Sequence, residues 1–310
     1  MAGNSNKAII AALLANLGIA IAKFAGFLVT ASSSLLAESI HSVADTGNQA
    51  LLLLGGRRSR REATEDHPFG FGRERYFWAF VVALVLFSLG SLFAIFEGVE
   101  KLRHPHELES PAVAIVILVV AAVLEGLSFR TAVIESRPLK GDLSWWQFIR
   151  RAKQPELPVV LLEDFGALTG LFIALVAVGL TIVTDNGMWD ALGTLSIGAL
   201  LGVIAFVLAQ EMKSLLIGES ATAYVRQKIE GAINASDHTV ALIHIRTQHL
   251  GPDELLVGAK IDFGATPTGA ELAEAIDAVE ADSRAAVPAA KVIYLEPDIQ
   301  RLTEDEAAET

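Results

Sequence analysis

The sequence predicts a helical membrane domain with six spans, followed by a small α+β domain. Hydrophobic residues make up 52% of the 310-residue chain, and its mean hydropathy is +0.47. Soluble domains rarely reach that combination. The apolar residues are also concentrated in six long runs before about residue 217, whereas the remaining residues have the mixed composition of a soluble domain.

Each of the six runs is long enough to cross a bilayer, which takes roughly twenty apolar residues. The second run is the least apolar because it contains several polar residues, and the fifth run contains two adjacent carboxylates. The predicted spans are Ala8–Val29, Ser33–Gly55, Phe77–Phe96, Pro111–Ile134, Pro158–Val183 and Trp189–Leu208.

The cations between the runs predict the orientation of the chain. The connections after the second and fourth runs are rich in Arg and Lys, whereas the loop after the first run has no charge and the turn after the fifth has no cation. By the positive-inside rule, both termini face the cytoplasm. We therefore expect a multi-pass integral membrane protein with residues 1–217 as its transmembrane domain.

Residues 218–298 have the α-β-β-α-β pattern of a small two-layer domain of the ferredoxin-like kind. A domain of this size has a marginal core, which favours pairing with a second copy. Acidic residues 299–310 have the composition of a disordered tail. The predicted elements are helix Thr222–Ala235, strand Thr239–Gln248, strand Leu255–Phe263, helix Pro267–Asp282 with Thr266 as its N-cap, and strand Lys291–Leu295.

Composition limits the partners and the metal ligands. The net charge of −12 argues against a nucleic-acid partner. The chain has no cysteine, so a metal ion would be held by His, Asp, Glu or backbone oxygen.

Ionisable residues inside two of the runs are the main functional signal, because a charge inside a bilayer is costly. His41 and Asp45 are four residues apart, which places them on one helix face. Asp164 in the fifth run has Glu163 beside it. If the second and fifth spans pack together, His41, Asp45 and Asp164 can supply three ligands, and Glu163, a water or a backbone carbonyl can supply a fourth. Such a site suits zinc, with cobalt, iron and manganese as alternatives.

Neighbouring residues on a helix point about 100° apart, so we expect only one of Glu163 and Asp164 to face the metal. The other is then a proton carrier or bonds a neighbouring helix. The alternative without a metal is that these polar groups hold the helices together. Weaker candidates for the ion path are Asn16, Asn48, Gln49, Glu125 and Asp190. Glu125 could instead pair with Arg130 of the same run, and Asp190, at the start of the sixth run, also suits the helix dipole.

Ligand chemistry also indicates a driving force. Metal binding displaces protons from imidazole and carboxylates, so a site that opens to one side at a time would exchange metal for protons. A membrane metalloenzyme is a different hypothesis, but the sequence has no His-Glu-x-x-His motif or similar catalytic constellation. A metal sensor that does not transport is a third hypothesis. We expect a transporter, not an enzyme.

Two segments of the sequence have the character of family motifs. One is residues 34–48, which include His41 and Asp45, and the other is residues 67–76, which begin His-Pro-Phe-Gly. They resemble the second helix and the signature entering the third helix of the cation diffusion facilitator family of zinc transporters. The Trp-Asp pair that opens the sixth span and the C-terminal α-β-β-α-β order are also similar.

The resemblance implies a homodimer in a bacterial cytoplasmic membrane that exports zinc, or a related ion, by proton antiport with alternating access. The chain departs from the family at the fifth helix, where the family's His falls on Val160, and Glu163 resembles the Glu-Asp variant of one branch. In the loop after the second span, Phe71 stands where a second His would be useful, so we predict no loop metal site. The positions of the family's regulatory zinc site in the soluble domain fall on Ile243, Ala259, Tyr294 and Glu296, most of which are not metal ligands.

Overall fold

The structure, a computed structural model, describes residues 2–30, 33–104, 111–264 and 268–299. Within helices it does not describe the side chains of residues 2–5, 29, 30, 33–38, 40, 41, 44, 111 and 114. Apart from residue 299, the predicted acidic tail lies outside the described residues. The chain divides into two compact units, Met1–Arg61 with Glu74–Lys213 and Glu62–Arg73 with Ser214–Thr310.

The first unit is helical. Its elements are α1 (Ala2–Thr30), α2 (Ser33–Arg58), α3 (Glu74–Val85), α4 (Phe93–Arg103), α5 (Pro111–Lys140), α6 (Trp145–Arg151), α7 (Glu156–Thr184) and most of α8 (Met188–Ile217). Five helical stretches are long and apolar enough to cross a membrane: Asn6–Leu28, Glu74–Arg103, Ile115–Lys140, Glu156–Thr184 and Met188–Ile217. The chain is therefore an integral membrane protein with a helical membrane domain.

Of the six predicted spans, α2 is the one whose described residues are not apolar enough to count as a membrane span by composition. It is a continuous helix of 26 residues, about 39 Å long at 1.5 Å per residue. Its mean hydropathy is low because its middle contains Asp45, Asn48 and Gln49. It packs mainly against α1 and also against α3.

The third predicted span contains a change of helix type that the sequence did not indicate. Helix α3 continues through a π-helical segment, Leu86–Leu92, into α4. Within this segment, Ser91 Oγ donates to the Gly198 carbonyl of α8 at 2.8 Å. A Cβ atom on Gly198 would lie only 2.9 Å from the Ile95 backbone nitrogen. The glycine therefore lets the two helices approach closely, as small residues do in membrane helices.

Helix α6 is a short helix between α5 and α7. Its N-cap Ser144 and Gln147 form a reciprocal capping box, which satisfies two of the free N–H groups at the helix start. Phe148 and Ile149 are buried. Trp145 and Trp146 lie in the first turn of this helix.

A buried ion pair joins the first turns of α3 and α7. The Arg75 guanidinium and the Glu156 carboxylate form two hydrogen bonds, one of them from Nη2 to Oε2 at 2.8 Å. The side chains are 9% and 3% exposed. The sequence analysis used Arg75 to orient the chain and as part of the motif at residues 67–76, and it did not predict this pairing.

The second unit contains α9 (Ala223–Ala235), β1 (Ala241–Gly251), β2 (Glu254–Asp262), α10 (Gly269–Ala286) and β3 (Ala290–Pro297). The strand order is β1-β2-β3, with β1 antiparallel and β3 parallel to β2. Alternate residues of β2 are buried in a core shared with both helices. Core residues include Leu255, Val257, Ala259, Ile261, Ile229, Ile233 and Val279.

The start of α10 differs from the prediction. Thr268, rather than Thr266, is the N-cap, and its hydroxyl accepts from the Glu271 backbone N–H at 3.3 Å. Thr266 and Pro267 lie outside the described residues. The helix also extends to Ala286, one turn beyond the predicted end at Asp282.

The loop between α2 and α3 belongs to the second unit. A Cβ atom on Gly72 would lie 2.7 Å from the Leu250 carbonyl oxygen and 3.0 Å from the Gly251 Cα, so only glycine fits there without a shift. The loop backbone thus lies directly on the end of the β1–β2 hairpin. The rings of His67 and Phe71 pack together, with centroids 4.6 Å apart.

Candidate metal site

Helices α2 and α7 meet through a buried cluster of polar side chains. Gln49 Nε2 donates to Glu163 Oε2 at 2.6 Å, and Asn48 Nδ2 lies 3.4 Å from Glu163 Oε1. Glu163 is 7% exposed, and the two amides are at most 1% exposed. Side chains of the second and fifth predicted spans therefore touch in the structure, whereas α2 packs mainly against α1 and α3.

The two adjacent carboxylates of α7 face different helices. Glu163 bonds α2, whereas Asp164 Oδ2 accepts a hydrogen bond from Ser128 Oγ of α5 at 2.7 Å. Asp164 is 1% exposed. This divergence is what the 100° angular step between neighbouring helix residues produces.

Asp45 is partly buried on α2 and lies within electrostatic range of both Glu163 and Glu125. Residue 41 lies one turn earlier in the same helix, and its side chain is outside the description. Among the side chains that the structure describes, no three of type His, Asp or Glu are grouped closely enough to hold one ion. Assigning His41, Asp45, Asp164 and Glu163 as metal ligands remains a prediction.

The remaining ion-path candidates lie on other helices. Asp190 Oδ2, in the first turn of α8, is 3.0 Å from Lys101 Nζ, which also lies 3.2 Å from Glu97 Oε1. Asp190 thus joins α8 to α4. Asn16 is a buried residue of α1, 6% exposed. Their roles in ion movement also remain predictions.

The site residue that the sequence analysis missed is Ser128 of α5, which belongs to no distinctive motif. Glu125 of the same helix was named only as a weak candidate for the ion path. The relevant signal was their spacing of three residues, which places both on one helix face.

Comparison with known proteins identifies the family. Residues 9–217 match the family model described as the cation efflux transmembrane domain. The chain is 35% identical over 245 residues to the proton-coupled zinc antiporter SLC30A9, mitochondrial, of Xenopus laevis, covering 78% of this chain and 44% of the relative. It is 30% identical over 262 residues to metal tolerance protein C4 of Arabidopsis thaliana, covering 84% of this chain and 57% of that protein.

A bacterial relative is also similar over a shorter stretch. The chain is 31% identical over 148 residues to the cation-efflux pump FieF of Escherichia fergusonii, covering 46% of this chain and 49% of the pump. In these alignments the chain spans about half the length of each curated relative. Together with the matched transmembrane model, these similarities confirm the resemblance: the chain belongs to the cation diffusion facilitator, or cation efflux, family of membrane transporters.

Proposed function

We propose that this protein exports Zn²⁺ in exchange for protons, by alternating access of a site between α2 and α7. The observation that supports this most is the pair of buried carboxylates Glu163 and Asp164, in an apolar helix that meets the polar face of α2. Carboxylates buried at such a position are costly in a membrane unless they serve an ion or proton pathway.

The proposed ligands are His41, Asp45 and Asp164, with Glu163 as a fourth ligand or a proton carrier. Imidazole and carboxylate donors suit tetrahedral Zn²⁺. The name of the Xenopus laevis relative, a proton-coupled zinc antiporter, supports the same cargo. Mn²⁺, Fe²⁺ and Co²⁺ bind similar donors, so competition among these ions is part of the test.

Exchange for protons follows from the same donors. A carboxylate or imidazole must lose its proton before it can bind a metal ion, so arrival of the cation releases protons and departure allows them to return. Glu163 is suited to carry one of them because it is buried and its hydrogen-bond partners on α2 are two neutral amides. These amides leave its negative charge uncompensated until a proton or a cation arrives.

We further propose that α2 crosses the membrane as a sixth span, with both termini in the cytoplasm. Its length of 26 residues is sufficient, and its polar residues face neighbouring helices of the bundle. Arg57 and Arg58 in its last turn agree with a cytoplasmic end. We place the protein in a bacterial cytoplasmic membrane as a homodimer, with the small sheet domain contributing to pairing.

Transport by reconstituted protein tests the proposal. Liposomes with a zinc-sensitive dye and a pH-sensitive dye inside should report Zn²⁺ entry coupled to proton exit. Asp164→Asn should abolish both signals, because the amide retains an acceptor for Ser128 but loses the charge. Asp185→Asn is the matched control: this exposed residue ends the same helix at φ 51°, a conformation that Asn also adopts readily.

The outcomes separate the hypotheses. Uptake of Zn²⁺ without proton movement would refute the antiport. Saturable binding without any uptake would favour a membrane metal sensor. Equal loss in both variants would mean that charge removal on α7 acts through folding, and the site assignment would fail.

A further inference from the structure

The connection between α5 and α7 combines exposed tryptophans with positive charge. Residues 137–153 contain five cations and one anion, in a chain whose net charge is −12. At the centre of this segment, helix α6 presents Trp145 and Trp146, which are 39% and 56% exposed. Exposed tryptophans beside cations are typical of the boundary between a bilayer and water. The cations are Arg137, Lys140, Arg150, Arg151 and Lys153.

The segment lies close to the membrane at both of its ends. One helical stretch that can cross the membrane ends at Lys140 and the next begins at Glu156, so the connection is short. An ion pair sets the level of α6, because Arg150 Nη1 lies 3.0 Å from Glu211 Oε1 of α8. Glu211 comes three residues after Leu208, where the predicted sixth span ends, which is about 4.5 Å along a helix. The headgroup layer on each side of a bilayer is roughly 5–7 Å thick, so Arg150 lies at its level.

Helix α6 is anchored in the protein and presents its tryptophans outwards. Two of its seven residues are buried, whereas each tryptophan has a cation beside it. Lys140 Nζ lies 5.4 Å from the centre of the Trp145 ring, and the guanidinium carbon of Arg150 lies 6.0 Å from that of the Trp146 ring. A surface of this kind can contact acyl chains with its rings and phosphates with its charges.

Two arginines of the segment have charges that the protein does not neutralise. Arg137 and Arg151 are both exposed, and neither forms an ion pair with a side chain that the structure describes. Arg150, in contrast, is paired with Glu211. A cation close to an anionic membrane surface increases the affinity for that surface about fivefold. The free arginines are therefore available to anionic groups outside the protein.

We propose that α6 and the cations around it form a binding site for the headgroups of anionic phospholipids. Trp145 and Trp146 lie at the boundary of the acyl chains, and Arg137 and Arg151 bind phosphates of the same leaflet, since a guanidinium donates two parallel hydrogen bonds to one phosphate. The level of Arg150 and the excess of positive charge favour lipid over a soluble protein as the partner. The inference concerns the contact with the membrane and does not depend on the transported ion.

Quenching of tryptophan fluorescence by brominated lipids tests this proposal. The full-length protein is reconstituted in vesicles of equal amounts of phosphatidylcholine and phosphatidylglycerol, with only one of the two lipids brominated. Brominated phosphatidylglycerol should quench more strongly, because the anionic lipid is concentrated beside α6. This extra quenching should disappear in Trp145→Phe/Trp146→Phe, in which Trp78 and Trp189 are the remaining tryptophans.

Charge variants separate a site on α6 from a general attraction. In vesicles of increasing phosphatidylglycerol content, Arg151→Gln should raise the fraction needed for half of the extra quenching about fivefold. Arg137→Gln/Arg151→Gln should remove most of the extra quenching. The matched control is Arg226→Gln/Arg284→Gln, which changes the net charge equally but removes arginines of the second unit that pair with glutamates. It should behave as wild type does.

Three results would overturn the inference. Equal quenching by the two brominated lipids in wild type would show that anionic headgroups are not preferred. Extra quenching that persists in Trp145→Phe/Trp146→Phe would place the lipid elsewhere on the protein. An equal loss in the control and in Arg137→Gln/Arg151→Gln would mean that net charge, rather than α6, attracts the lipid. All of these substitutions replace exposed side chains, so the variants should fold.

Discussion

Replacing Arg75 with methionine is expected to destabilise the membrane domain more than any surface substitution. The change removes the guanidinium that makes two hydrogen bonds to the Glu156 carboxylate. Because the Glu156 side chain is only 3% exposed, water cannot readily take the place of the lost partner. A buried charge is then left without its counter-charge.

The expected magnitude follows from the burial of both partners. Removing one partner of a buried ion pair costs about 3–5 kcal/mol, whereas replacing both by apolar residues is often close to neutral. Glu156 also lies in the first turn of α7, where the helix dipole stabilises a carboxylate by about 0.3–1 kcal/mol. Arg75→Met should therefore lower the free energy of unfolding by about 3 kcal/mol, because the dipole partly stabilises the remaining Glu156 carboxylate. Glu156→Leu should lower it by about 5 kcal/mol, because the remaining Arg75 guanidinium faces the positive end of that dipole.

Unfolding in mixed micelles with increasing sodium dodecyl sulfate, followed by tryptophan fluorescence, measures these differences. The double variant Arg75→Met/Glu156→Leu should be closer to wild type than either single variant. Losses below about 1 kcal/mol in both single variants would show that the pair behaves like an exposed salt bridge and would refute the reasoning.

Three further predictions concern the site and the packing. Glu163→Gln should fold normally, because its new amide can donate to an amide oxygen of α2 that has no hydrogen-bond partner among the described residues once that amide has rotated, but it should lose proton-coupled transport; undiminished transport would remove Glu163 as a ligand and as a proton carrier. Gly198→Ala should destabilise the membrane domain, whereas Gly170→Ala, whose Cβ would meet its nearest neighbour at an ordinary 3.5 Å, should be nearly neutral in the same unfolding assay. Gly72→Ala should loosen the second unit, seen as faster proteolysis of the loop, and Gly231→Ala on α9, which has open space around its Cβ, should leave proteolysis unchanged.

Hydropathy and helical spacing predicted most of the membrane helices, because burial in lipid requires long apolar segments. The same measure does not identify α2 as a span, because polar residues such as Asn48 and Gln49, which contact α7, lower its mean hydropathy. The π-helical segment at Leu86–Leu92 could not be read from composition, since it depends on packing against α8. In contrast, the Ser144-x-x-Gln147 capping signature at the start of α6 was present in the sequence.

For the candidate site, the sequence pointed to two helices but not to their contacts. The spacing of His41 and Asp45 and the adjacency of Glu163 and Asp164 indicated α2 and α7, whose side chains touch in the structure, and the metal ligands stay a prediction. Which neighbour each carboxylate contacts depends on how α5 packs beside α7, and no local pattern contains that information. For this reason the hydrogen bond between Ser128 and Asp164 emerged only from the arrangement of the helices.

The close approach of Gly72 to the end of the β1–β2 hairpin makes the second unit discontinuous in sequence. A fragment that starts at Ser214 would lack the twelve residues of Glu62–Arg73 and would leave the backbone around Gly251 uncovered. Conversely, a protein truncated before Ser214 would keep the segment Glu62–Arg73 but lose the β1–β2 hairpin on which that segment lies. Stability or metal affinity measured on the isolated C-terminal piece would therefore describe an incomplete body, unless the missing segment were supplied as a peptide.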